Sequence, residues 1–314
     1  MHRESAFIES LRALASSPAA RGLRDDAAVL HVGDARFVLT HDMLVESVHY
    51  LPDDPPEDVA WKLLAVNLSD LAAKGARPVG VLMGYMLGDE AWDRAFVAGL
   101  GDALAAFGAN LLGGDTVAAP AGVPRALALT VIGEALGPIP SRAGARAGDE
   151  LWVSGTIGDA GAGLRTLRGE IGGGAALIAR YRRPQPRLRA GEALAPLVSA
   201  MMDVSDGLLL DASRLAAASG AAIGIDLALL PLSEALLEYE GGGREARLAA
   251  ATAGDDYELL FTAPPERAAT IAALADLLDL RLTRIGVVAA GAGLRLVDGG
   301  EPMALPGRLG WEHG

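Results

Sequence analysis

With 314 residues and a 51% hydrophobic composition, the chain is long enough for about two domains of roughly 150 residues each. It has no cysteine, which excludes disulfides, thiolate metal sites and cysteine nucleophiles. Its formal charge of −13 argues against nucleic-acid and anionic-membrane partners, and aromatics at 4% predict cores of Ala, Leu and Val.

In chain order, RFVLTHDMLVE (36–46) reads as a strand. Residues 57–75 carry Val59, Leu63, Val66 and Leu71 at helical spacing and end on Gly75, the pattern of an amphipathic helix. VGVLMGYML (79–87) reads as a buried strand, 91–108 as a second helix through Phe96, Leu100, Leu104 and Phe107, and ALALTVIGEA (126–135) as another strand. The Pro-, Gly- and Arg-rich stretch 137–149 marks a domain boundary, dividing 1–137 from 138–314. Beyond it come a strand at 150–155, a glycine-dense turn and a helix, then a strand at 200–204 leading into a helix near Ser205. Strands at 221–229 and 257–263, a helix at 265–278 and two short strands, RIGVV and LRLVD, complete the chain. Both halves mix strands with helices, so the expected fold is α/β or α+β in two domains. No apolar run approaches the roughly 18 residues that span a bilayer. The start, MHRESAFIES, lacks the apolar stretch of a secretory signal. The expectation is a soluble, cytoplasmic protein.

Acidic residues recur where the chain turns beside apolar runs. Asp25-Asp26 precede AAVL, Asp42 follows FVLTH, and Asp70 shares a helix face with Asn67. Asp115 sits in LLGGDT, where two glycines suit a sharp turn after a strand, and Asp203 and Asp206 flank Ser205. Asp255-Asp256 open YELLF. Taken singly, each has a plain alternative: Ser205 or Asp206 suits a helix cap, Asp42 and Asp115 suit turns, and Asp25-Asp26 suit a solvated loop. Taken together, carboxylates crowded near apolar segments need cations or raised pKa values. Oxygen-only ligation suits Mg²⁺ bridging to phosphates. Lysine occurs only at Lys62 and Lys74, with no Gly-Lys of a P-loop and no His-Arg-Asp or Asp-Phe-Gly of a protein kinase. A phosphoryl-transfer site without lysine would depend on such ions. His49 suits a ligand contact or an ordinary surface position, and the turn from Gly155 to Gly163 suits a phosphate cradle or a plain loop.

In order, RDDAAVL (24–30), THDMLVESVHY (40–50), VNLSDLAAKGARP (66–78), LLGGDT (111–116), SRAGARAGD (141–149), DVSDGLLLD (203–211), GDDYELLFT (254–262) and the terminal GWEHG resemble the thiamine-monophosphate kinase family. That family lies within the larger group that includes aminoimidazole ribonucleotide synthetase. The resemblance implies that several Mg²⁺ ions are held by Asp26, Thr40, His41, Asp42, Asp70, Asp115, Asp203 and Asp206. It implies that Gly114, Asp115, Arg142 and Ser205 contact ATP, and that His49, Asp255 and Trp311 contact thiamine monophosphate. It also implies a homodimer joined through the N-terminal sheets, and direct transfer of the ATP γ-phosphoryl group to the substrate phosphate, giving thiamine diphosphate. The acceptor is already a phosphate oxygen, so no general base is nominated and catalysis rests on positioning and charge neutralisation.

The sequence departs from the family pattern at Arg24 for glycine, His41 for Thr or Ser, Ser47 and Tyr50 for Gly and Phe, and Asp255 for Glu. Two other readings stand beside it, a runner-up enzyme of the same group and a protein of a different class. One is a synthetase acting on formylglycinamidine ribonucleotide, which matches the later blocks less well. The other is a silent sensor or scaffold, which would be marked by lost metal carboxylates, whereas all the expected aspartates are present.

Overall fold

The computed structural model describes residues 3–120 and 122–312. The last two residues of the GWEHG block, His313 and Gly314, lie outside them. The N-terminal half runs α1 (Arg3–Leu11), β1 (Ala28–Val32), β2 (Ala35–Val45), α2 (Pro56–Ala73), β3 (Arg77–Leu87), α3 (Glu90–Phe107), β4 (Leu111–Ala118) and β5 (Ala126–Glu134). The C-terminal half runs β6 (Glu150–Ser154), α4 (Asp159–Leu167), α5 (Ala175–Arg182), α6 (Leu188–Leu194), β7 (Ala200–Val204), α7 (Leu208–Ser219), β8 (Ala222–Asp226) and α8 (Glu234–Glu240). It continues through α9 (Arg244–Thr252), β9 (Glu258–Ala263), α10 (Ala268–Leu278), β10 (Leu282–Ala289), β11 (Gly293–Asp298) and β12 (Glu301–Met303).

The strands form a five-stranded sheet, ordered β1-β2-β5-β3-β4, and a seven-stranded sheet, ordered β12-β11-β8-β10-β6-β9-β7. Within each, one pair is parallel (β3–β4, β8–β11) and the rest antiparallel. This is the mixed α/β architecture that the alternation of strands and helices predicts. No helix among the described residues is long and apolar enough to cross a membrane.

Helix α2 joins the two halves. Its apolar residues surround the axis rather than forming one stripe, as in a helix covered on all sides. One face packs with Phe96 and Leu100 of α3 and with Val38, Val81, Leu127 and Leu129 on the inner face of the first sheet. Its last turn meets α6, where a Cβ on Gly191 would stand 1.9 Å from the Ala72 carbonyl oxygen. Only glycine admits that approach. The second core lies between the seven-stranded sheet and α7, through Leu151, Val153, Met202, Leu209, Leu215, Ile225 and Leu260.

Three local expectations change. LLGGDT is not a sharp turn: β4 runs through Gly113 and Gly114, carried by its pairing with β3. The helix expected near Ser205 begins at Leu208, because Asp211 Oδ2 draws the Ser205 and Asp206 N–H groups into a preceding turn, at 3.1 and 3.0 Å. The strand expected over 221–229 stops at Asp226, whose side chain accepts from Ala228 N–H and starts a short 3₁₀ turn.

Candidate active site

Asp26 comes from the loop before β1, Asp70 from α2 and Asp203 from β7. One carboxylate oxygen of each lies within 4.8 Å of the others. Thr40, on β2, donates to Asp70 Oδ2, and Ser69 Oγ donates to Asp203 Oδ2 at 2.6 Å, linking α2 to the second sheet. Asp42 lies two residues beyond Thr40 on the same face of β2, and its N–H donates to Asn67 Oδ1 at 2.9 Å. Arg142 Nε reaches Asp26 Oδ1 at 3.0 Å. Asp206 pairs with Arg214.

The later sequence blocks meet at the turn after β7. The Val204, Ser205 and Asp206 carbonyls accept from Tyr257, Asp255 and Trp311 N–H respectively, each at 2.8 Å. Trp311 is 45% exposed, with the Arg308 guanidinium 5.2 Å from its ring centre. Twelve residues before Lys74 on α2, Lys62 Nζ donates to Asp255 Oδ2 at 2.8 Å and to the His49 carbonyl at 3.0 Å, and lies 3.9 Å from the centre of the Tyr181 ring. The His49 ring accepts from Val45 N–H through Nδ1 at 3.0 Å. Asp255 and Tyr257 hold φ values of 70° and 51°, uncommon for non-glycine residues, beside this cleft. Ser47, where the family favours glycine, likewise has φ 65°.

Three expected positions stand apart from the cluster. His41 projects from the face of β2 opposite Thr40 and Asp42, exposed, with Nδ1 2.9 Å from Thr130 Oγ1. A one-residue step along a strand reverses the face, so the His41 ring points away from this carboxylate group, contrary to its expected place there. Gly114 and Asp115 lie on the edge strand β4, exposed. Asp115 pairs with Gly84, which pairs with Ala128, which pairs with Met43, placing it three strands from β2 on the outer face, about 14 Å away. The glycine-dense turn gives no open phosphate cradle at Gly158, whose N–H donates to Asp256 Oδ2 at 2.8 Å.

Burial and the neighbouring carboxylates push Asp70 well above the ordinary value of 3.8. Burial and Asp26 push Asp203 up to about 8, and burial pushes Asp211 up to about 7. Burial also raises Asp42, with His41 opposing. Burial would raise Asp26 too, but Lys74 and Arg142 more than offset it and hold it below 3.8. Closely spaced oxygen donors with unrelieved like charge fit a hard divalent ion, and Asp26, Asp70 and Asp203 would hold Mg²⁺, with Asp42 beside them. In metal-free buffer the folded chain keeps protons on Asp203 and Asp211 that an unfolded carboxyl releases near 3.8. Stability from this cluster is therefore greatest near pH 4 and declines as pH rises toward 8. The thermal midpoint without metal should fall between pH 5 and pH 8, and added Mg²⁺ should raise it more at pH 8 than at pH 5. A midpoint that stays level across that range would show the cluster to be already ionised.

Sequence reasoning missed both lysines. The site does contain lysine: Lys74 is buried against Asp25 and Asp26, and Lys62 joins His49 to Asp255. It also missed Asp211, which shapes the 205–206 turn.

Residues 24–135 match the family model for the AIR synthase related protein N-terminal domain, and residues 146–299 match that for its C-terminal domain. These define the class: an AIR synthase related protein with both domains present. Thiamine-monophosphate kinase of Caulobacter vibrioides is 40% identical over 306 residues, covering 95% of this chain and 86% of that one. The Escherichia coli K12 thiamine-monophosphate kinase is 38% identical over 302 residues, 93% and 91% of the two chains. The solved structure of AaThiL complexed with AMPPCP and TMP aligns with a TM-score of 0.86 and 32% identity, over 100% of this chain and 99% of that one. The chain belongs to the thiamine-monophosphate kinase family.

Proposed function

We propose that this chain phosphorylates thiamine monophosphate to thiamine diphosphate, moving the ATP γ-phosphoryl group directly onto the substrate phosphate. The observation that carries the reading is the convergence of Asp26, Asp70 and Asp203 within 4.8 Å, with Arg142 on Asp26 and with Lys62, on the same helix as Asp70, holding Asp255 and the His49 carbonyl. Bound Mg²⁺ would neutralise charge between the two polyanions and align donor with acceptor. Arg142 and Ser205 orient ATP, with Asp206 near the metal side. His49 and Asp255 orient thiamine monophosphate, and Trp311 stacks on one of its rings. No residue takes a proton from the acceptor oxygen, because that oxygen is already anionic.

Residues 1–137 would bind ATP and Mg²⁺ and dimerise, while 138–314 complete the site, in the cytoplasm where ATP is supplied. The homodimer reading rests on the outer face of the first sheet, where Leu30, Val32, Met43 and Leu82 are exposed together, and Asp115 shares that face. A face-to-face dimer would cover these side chains and bring Gly114 and Asp115 toward a partner's site. Leu82→Arg should convert a dimer to a monomer by light-scattering mass; an unchanged mass would move the interface elsewhere.

Chromatographic assay of the purified protein with Mg-ATP and thiamine monophosphate should give thiamine diphosphate and equal ADP, both lost with EDTA. A folded, ATP-binding protein that makes neither product would overturn the substrate assignment. Trp311→Ala should weaken thiamine monophosphate binding by about 1–3 kcal/mol with ATP binding unchanged. Equal substrate affinity in the variant would remove the tail from the site.

A further inference from the structure

Lys74 caps the C-terminal end of α2, four residues after Asp70, so both side chains leave the helix on one face. It is completely buried. Its ammonium lies 2.5 Å from Asp25 Oδ1, 2.5 Å from Asp26 Oδ2 and 3.2 Å from the Met201 carbonyl oxygen. Two of these are hydrogen bonds, to Asp25 and the Met201 carbonyl, and the third is a charge contact with Asp26 Oδ2, so one ammonium gathers three oxygens as a small ion would. Charge in the cluster is distributed unevenly. Asp25 and Asp26 meet three cations, Lys74, Arg21 and Arg142. Among the described residues, Asp42, Asp70 and Asp203 form no ion pair: the Thr40 and Ser69 hydroxyls donate to Asp70 and Asp203, and Asp42 is anchored by its own N–H on Asn67 Oδ1.

We infer that Lys74 is a fixed cation of the carboxylate site, filling with its ammonium the position beside Asp25 and Asp26 that a divalent ion would otherwise take. This rests on the metal-dependent kinase reading for its purpose, though not for its geometry. An ammonium is a compact point charge, unlike the planar fork of arginine, and can stand where an ion stands. It is present before any ligand binds and needs no dehydration. One oxygen of Asp26 is directed to Lys74 and the other to Arg142, so this residue acts on the metal side of the site through contacts the chain has already set. Lys74 is thus a positioning residue: it settles how many exchangeable ions the aspartates take up.

The test counts ions. Mn²⁺ binding to the full chain without nucleotide is followed by electron paramagnetic resonance, with Mg²⁺ as competitor, for wild type, Lys74→Gln and Lys74→Met. Lys74→Gln keeps hydrogen-bonding capacity and drops the charge. Each variant should bind one more ion per chain than wild type, and its thermal midpoint should rise more on adding Mg²⁺. Variants that fold only with Mg²⁺ also support the inference, since a divalent ion then replaces the ammonium. An unchanged ion count with a lower midpoint overturns it and leaves Lys74 a structural clamp. Variants that fail to fold at any Mg²⁺ concentration overturn it too, because the ammonium is then not exchangeable with an ion. The same wild-type preparation is assayed for thiamine diphosphate. Absence of that product sinks the kinase reading while the ion count still decides Lys74.

Discussion

Asp70→Asn will lower turnover by about 10³-fold, roughly 4 kcal/mol of transition-state stabilisation, while leaving the metal-free protein at least as stable as wild type. Both halves follow from one placement. Asp70 is half-buried on a helix among other carboxylates, and its pKa is raised well above the ordinary value first by its desolvation and then by Asp42, Asp203 and Asp26. Ionising it without a cation therefore costs stability, and a neutral amide of the same shape removes that cost. The amide retains an acceptor for Thr40. It cannot supply anionic charge to an ion, so the gain in stability comes with the loss of function. Steady-state rates and thermal unfolding in EDTA measure the two halves. A variant that is both active and unchanged in stability would place Asp70 outside the reacting centre.

Glu258→Ala will destabilise the fold by about 3–5 kcal/mol, the cost of leaving buried charges without their partner. Glu258 is fully buried at the start of β9 and accepts from Ser154 Oγ at 2.6 Å, from Arg180 Nη2 at 2.7 Å and from Arg187 Nε at 2.7 Å. Arg180 belongs to α5 and Arg187 precedes α6, so one carboxylate gathers two helical segments against the second sheet. Its removal strands two guanidiniums at once. Denaturant unfolding of the variant gives the number, and a loss below about 1 kcal/mol would mean that water reaches both arginines. Turnover at a temperature where the variant remains folded should be nearly normal, which separates this residue from Asp70.

Much of the fold was readable because its long elements have clean periods. Helices α2 and α3 and strands β2, β3 and β5 fall within a few residues of their expected spans. The short segments α1, β1, α5, α6, α8, α9 and β12 went unnamed, since they are too brief for a repeat to declare itself. Gly113-Gly114 read as a turn because glycine permits one, while pairing with β3 made a strand instead. In the site, three of the aspartates singled out beside apolar runs, Asp26, Asp70 and Asp203, are brought within 4.8 Å by the fold. Facing was harder: His41 and Asp42 are adjacent in sequence and point to opposite faces, and Asp115 depends on a strand order that no local pattern encodes. The lysines were invisible for the same reason. Lys74 meets Asp25 across 49 positions and Lys62 meets Asp255 across 193, separations at which a single sequence carries no signal.

Helix α2 carries Lys62 at one end of the cleft, Asp70 within it and Lys74 at the other, so its rise sets the span between Asp255 and Asp25 at about 18 Å along the axis. Between those lysines, inserting or deleting one residue would turn everything beyond it by about 100° and break the far contacts together. Length there is thus a stricter requirement than composition. Surface loops can gain and lose residues without such a penalty, whereas between positions 62 and 74 this geometry tolerates only the exchange of one side chain for another.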